Sequence, residues 1–141
     1  MSASNDYDPR ISIAQVGATV AGTGGDGTYA MTFVVGNAGG EAASLIEARM
    51  PHVVLRAEAL DLTSRRALEP DKTAELAFHV TYRPRKDASD PSNPFLILRL
   101  VLVGEEWRVL AQLALAYDEG GVPTTTTAVV SAHRVGFSAS V

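Results

Sequence analysis

The sequence has no cysteine among its 141 residues. It therefore contains no disulfide framework, no thiolate nucleophile and no cysteine-ligated zinc, and cysteine usage assigns no redox compartment. The opening "MSASNDYDPR" lacks both the basic and the apolar region of a signal peptide. No later run is long and charge-free enough to span a bilayer as a helix. These absences predict a soluble protein, most simply a cytoplasmic one.

Concentrated positive charge is also lacking. Twelve basic residues stand against sixteen acidic ones, for a net charge of −4, and the basic residues are scattered apart from "RPRK" at 83 to 86. A surface that follows a phosphate backbone needs clustered cations, so nucleic acid is not a predicted partner.

A sustained 3.6-residue apolar periodicity is missing as well. The apolar residues, 46% of the chain, come in short runs separated by glycine, proline, asparagine and aspartate, which is typical of β-strands and turns. We predict a flexible segment at 1–9 and a single all-β domain at 10–141. The predicted strands lie at about 10–20, 28–36, 43–49, 52–60, 73–82, 95–103, 107–117 and 124–137.

The connections between these strands differ in length. Pro51 predicts a bend before the fourth strand, and "RPRKDASDPSNP" at 83–94 predicts a long exposed loop. Residues 61–73 predict a loop in which 64–68 could form one short helical turn. Mixed connection lengths favour two antiparallel sheets packed face to face over a closed barrel, hence an Ig-like β-sandwich of about seven to nine strands.

Two stretches carry a family resemblance. "FVVGNAGGEAAS" at 33–44 resembles the strand-then-turn element V-x-N-x-G-x-x-x-A of bacterial Ig-like domains of the CARDB-like and fibronectin type III-like kind. "LEPDKTAELAFHVTY" at 68–82 resembles their L-x-P-x-x-T-x-x-L-x-F strand entry. Asn37 then suits a left-handed turn, Pro70 stiffens the strand approach, and Leu76 and Phe78 enter the core. The resemblance covers about a third of the chain and implies a domain that binds or spaces rather than catalyses.

A glycine motif follows the first strand. Gly22, Gly24 and Gly27 have the spacing G-x-G-x-x-G, and Glu47 follows about 20 residues later, as in dinucleotide sites. Such a site needs a helix after the third glycine, because the amide groups at the helix N-terminus bind the pyrophosphate. "TYAMTFVV" at 28–35 instead alternates like a strand. The glycines therefore predict a hairpin turn.

Small-ligand sites are weakly indicated. His52, His79 and His133 lie on three strands, but single histidines on strands are more often surface residues than metal ligands. The loop residues Asp87, Asp90 and Asn93 lack the spacing of a calcium-binding EF-hand loop. The nine aromatic residues leave few for a sugar platform, namely Tyr7, Tyr117 and Phe137. We predict no cofactor and no metal, with calcium or sugar binding as the alternative.

Catalytic motifs are not evident. There is no G-x-S-x-G elbow, and no serine, histidine and aspartate stand in the context of a triad. Glu105 and Glu106 adjoin at a turn and point in different directions. The sequence therefore predicts a protein that is not an enzyme.

Strand alternation assigns the core. The residues predicted to point inward are Tyr29, Met31, Phe33, Val35, Leu76, Phe78, Val80, Tyr82, Leu96, Leu98, Leu100, Trp107, Val109 and Leu113. "FLILRLVLVGEEWRVLAQLALAY" at 95–117 predicts a hairpin with Gly104 and Glu105 in a type II′ turn, which pairs Leu100 with Val109.

The outward face of this hairpin is too apolar for a sheet that faces only water. It carries Phe95, Ile97, Arg99, Val101, Arg108, Leu110, Gln112 and Ala114. Aliphatic residues around arginine and glutamine resemble an interface core, so we predict a noncatalytic interaction or assembly module that forms a homo-oligomer or binds a protein through this face. Two alternatives remain. The N-terminal segment or the 61–73 loop could cover the face within one chain, or the 83–94 end could bind a sugar or a cation.

Overall fold

The computed structural model describes residues 9–20, 28–52, 55–64, 67–82, 94–117 and 123–135, with the backbone alone at 19, 20, 82, 117 and 123. The described residues form eight antiparallel strands and no helix. The strands are β1 (Ile11–Val20), β2 (Thr28–Asn37), β3 (Ala43–Pro51), β4 (Leu55–Asp61), β5 (Thr73–Tyr82), β6 (Phe95–Leu102), β7 (Glu105–Tyr117) and β8 (Pro123–Arg134). The all-β prediction is confirmed, and every predicted strand is present with small differences at its ends.

The strands form one sheet in the order β1-β2-β5-β4-β3-β6-β7-β8. Because β4 pairs with both β3 and β5, it joins the two halves of the sheet. The outer strands β1 and β8 meet through side chains, for example Thr127 Oγ1 to Ile13 O at 2.5 Å. The sheet is thus a nearly closed barrel, whereas the sequence favoured two clearly separate sheets. Contacts between strands at opposite ends of the chain cause the difference.

Two places in this barrel are weakly joined. β4 pairs with β5 over three residues only, Leu55 to Ala57, and β1 and β8 share no backbone hydrogen bond among the described residues. Bulges interrupt β1 between Gln15 and Gly17 and the β7–β8 ladder between Gln112 and Leu113. Bulges bend strands and raise local twist, which curls the sheet.

The core lies inside the barrel and follows the predicted alternation. All the predicted inward residues with described side chains are buried, except Tyr29, which is half-buried against the core. The rings of Phe33 and Phe78 pack edge to face at 5.8 Å. The side chain of Tyr82 lies outside the described part of the chain.

The segment after β4 adds core residues that alternation did not predict. Leu62 and Leu68 are buried in the core cluster. Leu62 N donates to Ile46 O at 2.8 Å, and Leu68 pairs with Ala43. Leu68 therefore belongs to a bridge and not to the short helical turn considered for 64–68, of which 65–66 lie outside the described residues. Of the described residues of 61–73, Leu62 and Leu68 are the buried ones, and both join the segment to β3.

Asn37 has a different role from the predicted one. Positive φ outside glycine occurs at Asp71 and Val103 in the described residues, so Asn37 does not form a left-handed turn. Instead its side chain is buried, donates from Nδ2 to the carbonyls of Glu41 and Leu68 at 2.8 and 2.9 Å, and accepts Gly39 N at 2.9 Å. An amide can do both because it carries a donor and an acceptor.

Pro70 does stiffen the approach to β5. It precedes Asp71, whose φ is 64°, in a turn closed by Lys72 N to Glu69 O at 3.1 Å. Proline at the second position and positive φ at the third are the marks of a type II turn. Pro51, predicted to mark a bend, is the last residue of β3 and pairs with Arg56 of β4.

The β6–β7 hairpin differs from its prediction in register. Its turn residues are Val103 and Gly104, with φ of 49° and 79°, and Leu100 pairs with Trp107 instead of Val109. Positive φ at both central residues is the type I′ signature, which matches the twist of the flanking strands. The shift equals two residues, so each side chain keeps its predicted face.

Candidate functional site

The predicted interface residues share the outer face of β6 and β7. The register places Phe95 opposite Gln112, Ile97 opposite Leu110, Arg99 opposite Arg108, and Ala114 opposite Thr126 of β8. Arg108, Gln112 and Ala114 are exposed, whereas Phe95, Arg99, Val101 and Leu110 are half-buried and Ile97 is 8% exposed. The structure therefore brings all eight together, with the aliphatic side chains partly shielded by their neighbours.

This face continues onto the neighbouring strands. Val129 of β8 lies opposite Gln112 and is 51% exposed, and the ring of His52 packs edge-on against Phe95 at 6.0 Å. We call Phe95, Ile97, Leu110 and Val129 the apolar stripe. Sequence alternation missed Val129 because the ladder irregularity between Gln112 and Leu113 inserts an extra residue into β8 and so reverses the facing of the residues that follow.

Arginines and glutamates flank the apolar stripe, but they are not paired one to one. Arg99 lies 2.8 Å from Glu106 and 3.9 Å from Glu47, so a single arginine engages both carboxylates. Arg49 and Arg108 are exposed, and no hydrogen bond or ion pair joins the side chain of either to another described residue. Arg108 also lies directly opposite Arg99, and such like-charge pairs are unfavourable. Among the described residues, this face thus has two arginines without an ionic partner beside apolar side chains.

A second surface lies where β1 and β8 meet. At one end Gln15 Oε1 accepts from both the backbone N and the hydroxyl of Thr125, at 2.7 and 2.8 Å. Beyond Thr127 the strands separate and leave a cleft of about 320 Å³ between Pro9–Ser12 and Val130–Ala132, with Val109 among its lining residues. We call this opening the β1–β8 cleft.

The β1–β8 cleft exposes part of the core face. Val130 lies opposite the buried Ala111 and therefore faces inward, yet it is 36% exposed. Val109 beneath it is fully buried. Sequence reasoning could not find this opening, because it depends on how far β1 and β8 lie apart.

The other sequence candidates do not form a common site. The described residues include no group of three or more His, Asp or Glu side chains that could hold a metal ion. His52 packs on Phe95, His79 is exposed beside Arg56 and Glu58, and His133 lies 3.2 Å from Ser131 Oγ. The three histidines are therefore not brought together.

The two adjoining glutamates each contact a different arginine. Glu105 lies 3.4 Å from Arg134, and Glu106 contacts Arg99. Arg134 also lies over the ring of Trp107 at 5.3 Å. This arrangement holds the two carboxylates apart, as the sequence predicted.

Several candidates fall outside the described residues. These are the turn glycines Gly22, Gly24 and Gly27, the loop residues Asp87, Asp90 and Asn93, and the aromatic residues Tyr7 and Phe137; for Tyr117 only the backbone is described. Of the predicted 83–94 loop, Pro94 alone is described. It is buried, and its carbonyl accepts Leu113 N at 2.9 Å, so it belongs to the sheet.

The described residues contain no helix with the length and apolar character that a membrane span requires. No known protein-family model and no curated protein matches the sequence.

Proposed function

We propose that the chain is a noncatalytic assembly module of Ig-like fold. The strand order supports the Ig-like assignment. Ig domains order one sheet A-B-E-D and the other C-F-G, and here β1-β2-β5-β4 and β3-β6-β7 follow the same chain order. In this interpretation β8 is an additional strand, and its side-chain contacts with β1 draw the two sheets towards a barrel.

The module binds a second copy of itself through the outer face of β3, β6, β7 and β8. The observation that carries this proposal is the apolar stripe flanked by unpaired arginines. An aliphatic patch that retains arginine has the composition of an interface core. A twofold arrangement would bury the same stripe on both copies.

The charged residues of this face could pair with those of the same face on a second copy. Within one copy Glu47 and Glu106 both engage Arg99, and no carboxylate of the described residues pairs with Arg49 or Arg108. In an isologous dimer each of these arginines can meet a glutamate of the other copy, because residues of the same patch face each other across the axis. The like-charge opposition of Arg99 and Arg108 would then be relieved.

Light scattering at about 100 μM tests the proposal, since ordinary interfaces have dissociation constants in the micromolar range or below. We expect a dimer for the unmodified chain and a folded monomer for Leu110→Glu. The matched control is Ala77→Glu, which adds the same charge at an exposed position of β5 away from this face and should leave the dimer intact.

Two results would contradict the proposal. One is an unmodified chain that stays monomeric at this concentration. The other is equal dissociation by Leu110→Glu and Ala77→Glu, which would point to charge in general instead of this face. Cooperative thermal melting of each variant shows whether it remains folded.

A further inference from the structure

We propose that the β1–β8 cleft accepts one extended strand from another polypeptide, which pairs with the edge of β8 that faces away from β7. This surface is separate from the apolar stripe, and the proposal does not depend on self-association. The occupant is an uncharged extended segment that alternates small apolar and small polar side chains.

Backbone groups of β8 point into the cleft. Val135 N donates to Glu106 O at 2.9 Å. The backbone N–H and C=O groups of Val135, and of every second residue before it, therefore point towards β7. In an antiparallel ladder the intervening residues face the other way. The N–H and C=O groups of Val130 and Ala132 therefore point towards the cleft, where β1 offers them no backbone hydrogen bond.

The opposite wall is also a strand edge. Arg10 O accepts Ala38 N at 2.8 Å on the β2 side, so the backbone groups of Ile11 and Ile13 face the cleft. The Ile13 carbonyl already accepts a hydrogen bond from the Thr127 hydroxyl. An extended polypeptide matches such an edge, because its backbone N–H and C=O groups alternate with the same spacing as those of a strand.

Within β1, and within β8 before Arg134, the charges that normally keep edge strands apart are missing, and Arg10 just before β1 is the charged residue of the cleft lining. Natural edges carry lysine, inward charges or proline against unwanted pairing. In this chain 20% of the residues are charged, yet β1 has no charged residue, and Arg134 at the end of β8 is the first one in that strand. The bulges in both strands limit pairing along their length, but no described strand pairs with the edge of β8 that faces away from β7 from Val130 onward.

The lining of the cleft sets the side-chain preference of the occupant. Its inner side presents the 36% exposed Val130, with the fully buried Val109 beneath it, whereas its rim presents Ser12, Ser131 and, at one end, the exposed Arg10. Side chains alternate across a strand. An inserted strand therefore places apolar side chains over the valines and small polar ones at the serine rim.

The probe is a synthetic capped peptide of sequence Ser-Val-Ser-Ala-Ser-Val at about 1 mM, a concentration suited to weak binding. Amide hydrogen exchange and ¹⁵N chemical shifts are recorded on the full chain. We expect shifts at Ile11, Ile13, Val130 and Ala132. Exchange of the Val130 and Ala132 amides should slow about tenfold when the peptide exceeds its dissociation constant about tenfold.

One modified peptide and three variants separate strand pairing from general adhesion. A peptide N-methylated at alternate residues keeps its side chains but loses its donors, so it should give no protection. Val130→Asp places a charge in the cleft and should abolish binding, whereas Val129→Asp on the opposite side of the same strand should not. Ala132→Pro removes one cleft-facing donor without touching the β7 ladder and tests the same point if Val130→Asp does not fold.

Absence of shifts at this peptide concentration would overturn the proposal. Equal protection by the N-methylated peptide, or shifts confined to Ile97 and Leu110, would also overturn it, since the peptide would then bind the apolar stripe by its side chains. Repeating the measurement on Leu110→Glu keeps the result independent of the proposed dimer.

Discussion

Val103 occupies a backbone conformation that suits few residues other than glycine and asparagine. Its φ is 49°, and its side chain is 51% exposed, so little packing offsets the strain of a β-branched residue in the left-handed region. Asparagine before glycine is the preferred type I′ pair. We therefore expect Val103→Asn to raise the free energy of unfolding by about 1 kcal/mol, measured by urea denaturation.

The neighbouring glycine provides the matched control. Gly104 has φ of 79°, and a Cβ there would meet no atom within 4 Å. Gly104→Ala therefore tests backbone strain alone and should lower stability by about 1 kcal/mol. An unchanged or lower stability for Val103→Asn would show that the turn is not type I′ in solution.

Asp61 gives a residue-scale prediction about pH. The Thr63 hydroxyl and the Thr63 backbone N–H donate to its carboxylate at 2.6 and 2.9 Å and hold its pKa below the ordinary 3.8. Folding thus favours the charged form. This contribution to stability is present above pH 3.8 and is lost as the pH falls through the lower pKa of the folded chain. The carboxylate is fully exposed, so the contribution is small.

The test is a ¹³C NMR titration of the Asp61 carboxyl group. Thr63→Val removes the hydroxyl donor, the larger cause of the lowered pKa, and keeps the backbone donor. We expect the midpoint to rise towards 3.8 without reaching it. A midpoint unaffected by the substitution would assign the lowered pKa to another cause.

At the scale of elements, β5 shows how well alternation predicts packing. The predicted and observed limits of this strand agree at 73–82, and Leu76, Phe78 and Val80 are buried as expected. Phe78 also packs on Phe33 of β2. We expect Phe78→Ala to cost about 3–5 kcal/mol, as large core truncations do, measured by urea denaturation.

The control for this element is Ala77→Ser on the exposed side of the same strand. It should change stability by less than about 0.5 kcal/mol. A cost below about 1 kcal/mol for Phe78→Ala would mean that β5 has a different register in solution.

The β6–β7 hairpin shows where element-level prediction fails. Alternation assigned the correct face to each residue, since a shift of two leaves facing unchanged. The turn type was wrong because Gly104 suits either central position of a primed turn, and the choice depends on how the strands twist against their neighbours β3 and β8. The candidate face was therefore predictable, whereas its exact cross-strand pairs were not.

At the scale of the whole molecule, the barrel is closed by side chains. Gln15 Oε1 accepts both donors of Thr125, a residue only 8% exposed. Gln15→Ala leaves these donors without an acceptor and should cost about 1–3 kcal/mol. Hydrogen exchange at the Thr125 amide should become faster than the global loss of stability alone explains.

Glu58→Ala is the control, because Glu58 is exposed on β4, away from both the β1–β8 contact and the outer face of β6 and β7. It should change stability by less than about 0.5 kcal/mol. If Gln15→Ala behaves in the same way, the Gln15–Thr125 contact does not contribute to closure, and Thr127 with Ile13 remains the side-chain contact that joins β1 to β8.

The sequence by itself determined the all-β class, the approximate limits of the strands and the facing of their side chains, because alternation and turn chemistry act between residues close in the chain. It also indicated the apolar stripe, apart from Val129. The tertiary structure alone decided the pairing of β2 with β5, the burial of Leu62 and Leu68, and the contact of Gln15 with Thr125. These features join distant residues through three-dimensional packing. No local pattern specifies how far apart β1 and β8 lie, and so the β1–β8 cleft could not have been predicted.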